Sequence, residues 1–263
     1  MMLKFFLKSL LVILLTVSNS YAAITYDGTD DSVTCTTDAT LDMGNHDQSY
    51  YFRYRSTVTA QKDYFTFQAG WKGVGGTGCW MYVYGALEGI ACSTSSTGGG
   101  GDTTVFGSFV DWNDGEWHTA VLVRDISETD EFIVYMDGAF LFDGDDGNKS
   151  SGLVSRTFKI GHSANSIGTL ENYFEGDIAE FAVWDRVLTA QEASILHSSG
   201  MNGMVIQMAT SLNMGLNFTE YADGDSVDAN TYRTYGTYPG TCTADNGAND
   251  TGLTQESDTE VSF

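Results

Sequence analysis

Short apolar runs, broken at intervals of about ten residues by glycine, aspartate or asparagine, fill most of this chain. In WHTAVLVR, Trp117, Thr119, Val121 and Val123 alternate with His118, Ala120, Leu122 and Arg124. A period of two is that of a strand, here with the tryptophan side predicted to face inward. Phe132 to Met136 and Ala139 to Phe142 flank Asp137 and Gly138, a two-residue loop suited to the positive φ angles of a type I′ hairpin. Upstream, ITYDGTDDSVTC reads as two strands around an Asp-Gly turn, SYYFRYRSTV as a third, and residues 63–92 as three more short strands separated by glycine turns. The run STSSTGGGGD at 93–102 has no following helix with which to cradle a phosphate and reads as a hairpin loop. Further strands are predicted from Phe158 and over Ile178 to Trp184.

One segment breaks the pattern. After the polar pair Asp185 and Arg186, Thr189 stands where a helix N-cap belongs, and Glu192 three residues later completes a capping box. Ala190, Ala193, Ile195 and Leu196 form a modest apolar stripe, and Gly200 ends the helix. So short a helix covers one end of a sheet but does not stand alone. The predicted class is all-β, a sandwich or barrel with one short C-terminal helix.

Composition narrows the partners. The chain has 263 residues, one proline and 30 glycines, which suits one large domain. The formal charge of -23 is uninterrupted by any basic cluster, which disfavours nucleic acid and anionic membrane surfaces. Lys4 and Lys8, an apolar run from Ser9 to Val17 and the small residues ending Ala22-Ala23 have the three regions of a secretory signal peptide, assigned to 1–22. The apolar run is too short to span a bilayer, so a secreted protein with no membrane insertion after cleavage is expected. Export sets Cys35, Cys79, Cys92 and Cys242 where disulfides persist. Three pairings are possible. The strand, turn and strand between Cys79 and Cys92 favour that pair, with Cys35 and Cys242 tying the first strands to the last.

ITYDGTDDSV, DGEWHTAVLVRD, EFIVYMDGAFL, FKIG and FEGDIAEFAVWDRVLTAQEASIL follow one another in an order and spacing that resembles laminin G-like domains of the concanavalin A-like lectin/glucanase superfamily, in the pentraxin-related bacterial style. The resemblance covers about residues 24–200. It implies a jelly-roll sandwich of two antiparallel sheets over 23–200, a fold that hosts lectins, adhesins, structural modules and hydrolases. Ala179 stands where such domains often carry an acid. Residues 201–263 form an extension expected to pack on the sandwich, held by Cys242, with a mobile tail from Ala244.

Three kinds of chemistry are candidates. Glu175, Asp177 and Glu180 fit the E-x-D-x-x-E spacing of the related family-16 glucanases, which would make Glu175 a nucleophile and Glu180 an acid in retaining glycoside hydrolysis. The competing reading places them on the closing strand of a binding domain. Calcium suits the hard oxygen donors of two loops: Asp143, Asp145, Asp146 and Asn148 in FDGDDGNKS, and Asp27, Asp30 and Asp31 in YDGTDDS. Trp71, Trp80, Tyr82 and Tyr84 are candidates for stacking on sugar, with the last three on one face of a strand. The same face also reads as sandwich core, the reading the pattern favours. His46, His118, His162 and His197 are scattered, and neither H-E-x-x-H nor G-x-S-x-G occurs. The sequence therefore reads as a secreted module that binds rather than catalyses. Its expected partner is an extracellular glycan or a surface protein, as in cell adhesion, with self-association as a further expectation. The alternatives are a structural subunit of a filament, coat or matrix, and a glucan hydrolase.

Overall fold

A computed structural model describes residues 23–35, 47–58, 62–71, 74–84, 89–95, 104–108, 112–128, 132–144, 157–164, 170–171, 173–204, 208, 211–217, 233–235 and 242–245. The chain starts with β1 (Ile24–Asp27), β2 (Ser32–Cys35), β3 (Gln48–Arg55), β4 (Lys62–Trp71), β5 (Val74–Tyr84), β6 (Gly89–Ser95) and β7 (Thr104–Ser108). It continues through β8 (His118–Arg124), β9 (Phe132–Met136), β10 (Ala139–Gly144), β11 (Thr157–Ile160), β12 (Ser163–Ala164), β13 (Leu170–Glu171) and β14 (Glu175–Trp184). Helix α1 (Ala190–Ser199) follows, then β15 (Leu212–Asn217), β16 (Arg233–Tyr235) and β17 (Cys242–Asp245).

Apart from β12 and β13, which form a separate two-stranded sheet, these strands make the expected all-β jelly-roll sandwich of two antiparallel sheets. The first sheet runs β10-β9-β8-β3-β14-β15-β16, with β1 also on β14, and the second runs β17-β2-β11-β4-β5-β6-β7. β1 and β2 sit close in sequence but in different sheets, because the turn at Gly28, φ 81°, carries the chain across the sandwich. β4, β5 and β6 are the three strands expected over 63–92, and they are long rather than short. β6 and β7 pair antiparallel across the predicted hairpin loop, whose own residues lie outside those described from 96 onward.

β14 is the spine of the first sheet. One edge pairs with β3, and the other is shared by β1 over Glu175–Ile178 and β15 over Glu180–Trp184. The β3 register slips between Ile178 and Glu180, so Ala179 is an extra residue in a bulge. The bulge returns Glu180 to the face of Asp177, and Ala182 and Trp184 follow on that face. Tyr51, Val121, Val123, Ala182 and Trp184 pack there with Ala193 and Leu196 of α1 and with Met208 and Leu212 beyond it. The opposite face carries the buried Tyr50, Phe52, Tyr54, Leu122 and Phe181 toward the second sheet.

This arrangement corrects one expectation. The Trp117, Thr119, Val121, Val123 set faces the helix rather than the second sheet, and Trp117 lies half-buried beyond the reach of α1. Every residue of β8 is buried on both faces, so polarity along the strand does not distinguish them.

The helix forms as its local signals dictate. Thr189 Oγ1 accepts from Glu192 N at 3.2 Å, and Thr189 N donates to Glu192 Oε2 at 2.9 Å. Gly200 closes the helix at φ 59°, donating to Leu196 O. The buried stripe differs from the expected one at its start: Ala190 is exposed, whereas Glu192 is buried, held by two Arg186 hydrogen bonds of 2.6 and 3.0 Å. Those bonds, with the capping contacts, keep the Glu192 carboxyl below its ordinary range. The hairpin between β9 and β10 turns through Asp137 (φ 48°) and Gly138 (φ 74°), as predicted.

Strands beyond residue 200 extend both sheets. β15 and β16 continue the first, and β17 lies on β2 with Cys242 directly opposite Cys35, which is disulfide-bonded. Ala244 and Asp245, where the tail was expected to open, pair with Val33 and Ser32. Cys79 stands opposite Thr94 and Cys92 opposite Met81, so these two cysteines are diagonal neighbours on β5 and β6. Among the described residues, no helix is long and apolar enough to cross a membrane.

Candidate functional site

Two places on the described surface concentrate polar chemistry, one on each side of β1. The first is a row across the first sheet. Register sets Thr25 opposite Asp177 and Asp177 opposite Arg55, while Trp117 precedes β8 beside Arg55. Thr25 Oγ1 donates to Asp177 Oδ1 at 2.5 Å. Arg55 Nε and Nη2 both donate to Asp177 Oδ2, at 2.9 and 2.8 Å. The Arg55 guanidinium carbon lies 5.1 Å from the centroid of the Trp117 ring. Gly176 makes this approach possible. A Cβ there would lie 2.3 Å from Arg55 O, and its φ of +140° suits glycine.

The second place is the turn between β1 and β2. Ligand oxygens of Asp27, Asp30 and Asp31 lie within 4.8 Å of one another. Asp27 Oδ1 accepts from Thr29 N at 2.6 Å, and Asp31 Oδ2 accepts from Asp27 N at 2.7 Å. The hydroxyl of the preceding residue, Tyr26, is buried and has no hydrogen-bond partner among the described residues. Burial, and then the charge of Asp31, push its ionisation far above the usual phenol range. Three carboxylates with ligand oxygens this close are a donor set that fits a hard divalent cation.

The glucanase-like residues are not assembled into one cleft. Glu175 is exposed, Asp177 belongs to the row just described, and Glu180 lies 3% exposed under α1. Glu180 Oε2 takes the Tyr51 hydroxyl at 2.5 Å and Arg53 Nε at 3.2 Å, and Oε1 takes Met201 N at 3.0 Å. Both of its oxygens are committed to holding the helix. Tyr51 is correspondingly hard to ionise, through burial first and the Glu180 charge second.

The other candidates scatter. Asp143 is exposed within β10, not in a loop, and Asp145, Asp146 and Asn148 lie outside the described residues. Trp71 ends β4, and Trp80, Tyr82 and Tyr84 belong to β5 in the middle of the second sheet. Their side chains lie outside those described. His118 is held between Asp137 (Nδ1 to Oδ2, 2.9 Å) and Asp114 (Nε2 to Oδ1, 3.1 Å).

Sequence reasoning missed Arg55 and Trp117. Their contact joins residues on different strands, and its local trace was the alternation of Arg53 and Arg55 on one face of β3.

A helix-backed sheet packed on a second antiparallel sheet, with polar side chains set across strands and around a turn, is the architecture of a lectin-type jelly roll. The chain matches the Concanavalin A-like lectin/glucanases superfamily over residues 27–194 and belongs to it. Among solved structures, a putative carbohydrate binding protein from Bacteroides ovatus is similar with a TM-score of 0.59 and 15% identity, over 86% of this chain and 58% of that one. This chain thus spans less than two thirds of that protein. A heptameric SAP-like pentraxin from Limulus polyphemus is similar with a TM-score of 0.52 and 15% identity, over 69% of this chain and 84% of that one. The CBM40 of a Ruminococcus gnavus IT-sialidase is similar with a TM-score of 0.51 and 16% identity, over 66% and 97%. At such identities the likeness is one of fold. No curated protein matches by sequence.

Proposed function

We propose that this chain is a secreted binding module that recognises an extracellular glycan or surface polymer, assisted by calcium, and that it does not hydrolyse its ligand. The observation that carries the reading is the commitment of Glu180. A general acid must meet a glycosidic oxygen, whereas this carboxylate is buried against Arg53, Tyr51 and Met201 N. In a superfamily of lectins and glucanases, this commitment supports the binding branch. The similar structures named above include a carbohydrate binding protein and a sialidase CBM40, which supports the same branch. Asp27, Asp30 and Asp31 would hold the ion through carboxylate oxygens, fixing the turn that joins the two sheets. When bound, calcium would supply positive charge and open coordination positions for sugar hydroxyls. Secretion rests on the charged, apolar and small-residue regions of 1–22.

The test is a glycan array probed with the chain from Ala23 onward, with calcium and with chelator, alongside light scattering. Saturable glycan binding lost on chelation is the expected result. Binding indifferent to chelator keeps the glycan and removes the ion. Absence of binding together with growth into large ordered assemblies overturns the proposal in favour of a structural subunit.

A further inference from the structure

We propose that Thr25, Asp177, Arg55 and Trp117 form a subsite for a neutral sugar ring, which rests on the glycan-binding reading above and gives it a location. The row has the two parts that sugar recognition requires: an aromatic surface for the C–H face of the ring and fixed polar groups for its hydroxyls. Asp177 locks the Arg55 fork through two hydrogen bonds, and Thr25 locks Asp177 in turn, so the polar groups are held in place before any ligand arrives. The Arg55 guanidinium carbon lies over the Trp117 ring, 5.1 Å from its centroid.

Accessibility separates this row from its neighbour. Arg53 and Glu180 lie on the same face of the same two strands, yet their side chains are only 5% and 3% exposed because α1 covers them. Arg55 and Asp177, past the end of the helix, are 28% and 11% exposed. Arg53 donates to Leu196 O and His197 O at the end of α1. Two arginine–carboxylate pairs thus stand side by side, one closed under a helix and the other partly exposed through Arg55, beside an indole.

Charge selects the class of ligand. The Arg55 charge is already matched by Asp177, and the exposed Glu175, Asp114 and Glu116, each within three residues of Asp177 or Trp117 in sequence, add negative charge. In a chain of formal charge -23, a uronate or sialate would be repelled, and a neutral hexose unit would not.

Affinity electrophoresis of the chain from Ala23 onward tests this, in gels containing neutral β-glucan or galactomannan, or acidic alginate. Wild type is expected to be retarded by at least one neutral polymer and not by alginate. Trp117→Ala and Arg55→Lys, which keeps the charge but loses the fork, are expected to weaken retardation roughly tenfold or more. Circular dichroism checks that each variant is folded; where one is not, the near-isosteric Thr25→Val takes its place and is expected to weaken binding. Neutral-polymer binding that survives these substitutions places the site elsewhere and overturns the subsite, while the glycan-binding reading stands. Retardation by alginate alone overturns the neutral class. A wild-type chain retarded by no polymer overturns subsite and reading together.

Discussion

Arg53 Nε lies 3.2 Å from Glu180 Oε2 beneath the C-terminal end of α1, and Arg53 Nη2 reaches Leu196 O and His197 O at 3.1 Å each. One guanidinium therefore sits against a buried carboxylate and also donates to two last-turn carbonyls at the helix's negative end, His197 O and Leu196 O, the latter already taking Gly200 N. Replacing Arg53 with Met strands the Glu180 charge and is expected to cost about 3–5 kcal/mol. Arg53→Met with Glu180→Leu is expected to recover part of that loss. Urea unfolding of both variants measures it; a single variant as stable as wild type would show the pair to be energetically idle.

His118 supplies a pH signature. Burial alone would lower its pKa, but hydrogen bonds to Asp137 and Asp114 outweigh that and raise it above 6.5. Burial pushes the Asp137 carboxyl up, but the His118 and Thr119 hydrogen bonds and the charges of His118 and His197 together lower it, and the Glu116 backbone bond lowers that of Asp114. A raised histidine pKa contributes stability that is complete below 6.5 and is lost as pH rises through the folded value. Lowered carboxyl values contribute stability above 3.8 that is lost as pH falls through their folded values. The cluster therefore contributes most between those two limits. Melting temperatures across pH are expected to fall less steeply as pH rises above 6.5 in Asp137→Asn than in wild type. Asparagine tolerates the positive φ of that turn, which keeps the comparison clean. Parallel curves for the two proteins would dismiss the coupling.

Gly176 permits no side chain. A Cβ would meet Arg55 O at 2.3 Å, and the φ of +140° lies where other residues rarely go. Gly176→Ala is expected to destabilise by more than about 1 kcal/mol, and to loosen the Asp177 to Arg55 pair by pushing β14 from β3. The denaturation midpoint is expected to drop at unchanged m-value. An unchanged midpoint would mean that the strands relax without penalty.

Legibility in the sequence followed the range of the interactions. Thr189, Glu192 and Gly200 announce their helix because cap, box and stop act within one turn. Asp137 and Gly138 announce a hairpin for the same reason. Thr25 and Asp177 are 152 positions apart, and no local pattern ties them. The bulge at Ala179 decides that Asp177 and Glu180 share a face, yet the alanine itself gives no sign of it. The E-x-D-x-x-E spacing was legible, but its meaning was not: the two arginines opposite, which claim Asp177 and Glu180, lie on β3, far away in sequence.

The calcium reading makes a prediction whose sign reverses with the ion. Asp27, Asp30 and Asp31 hold like charges within 4.8 Å, so without a cation each repels the others, and with one each is a ligand. Asp27→Asn keeps an oxygen for Thr29 N while removing a charge. In chelator, this variant is expected to melt at or above the wild-type temperature, because repulsion is relieved. With calcium, wild type is expected to rise by the mass-action increment, about 2.7 kcal/mol at a hundredfold excess over Kd, and Asp27→Asn by much less. The two curves should therefore cross as calcium is added. Asp143→Asn, on β10 in the other sequence-predicted cluster, should shift with calcium as wild type does. If Asp143→Asn loses the shift while Asp27→Asn keeps it, the ion belongs to that second cluster. If calcium shifts none of the three proteins, the acidic turn is ordinary turn chemistry and glycan binding proceeds without metal.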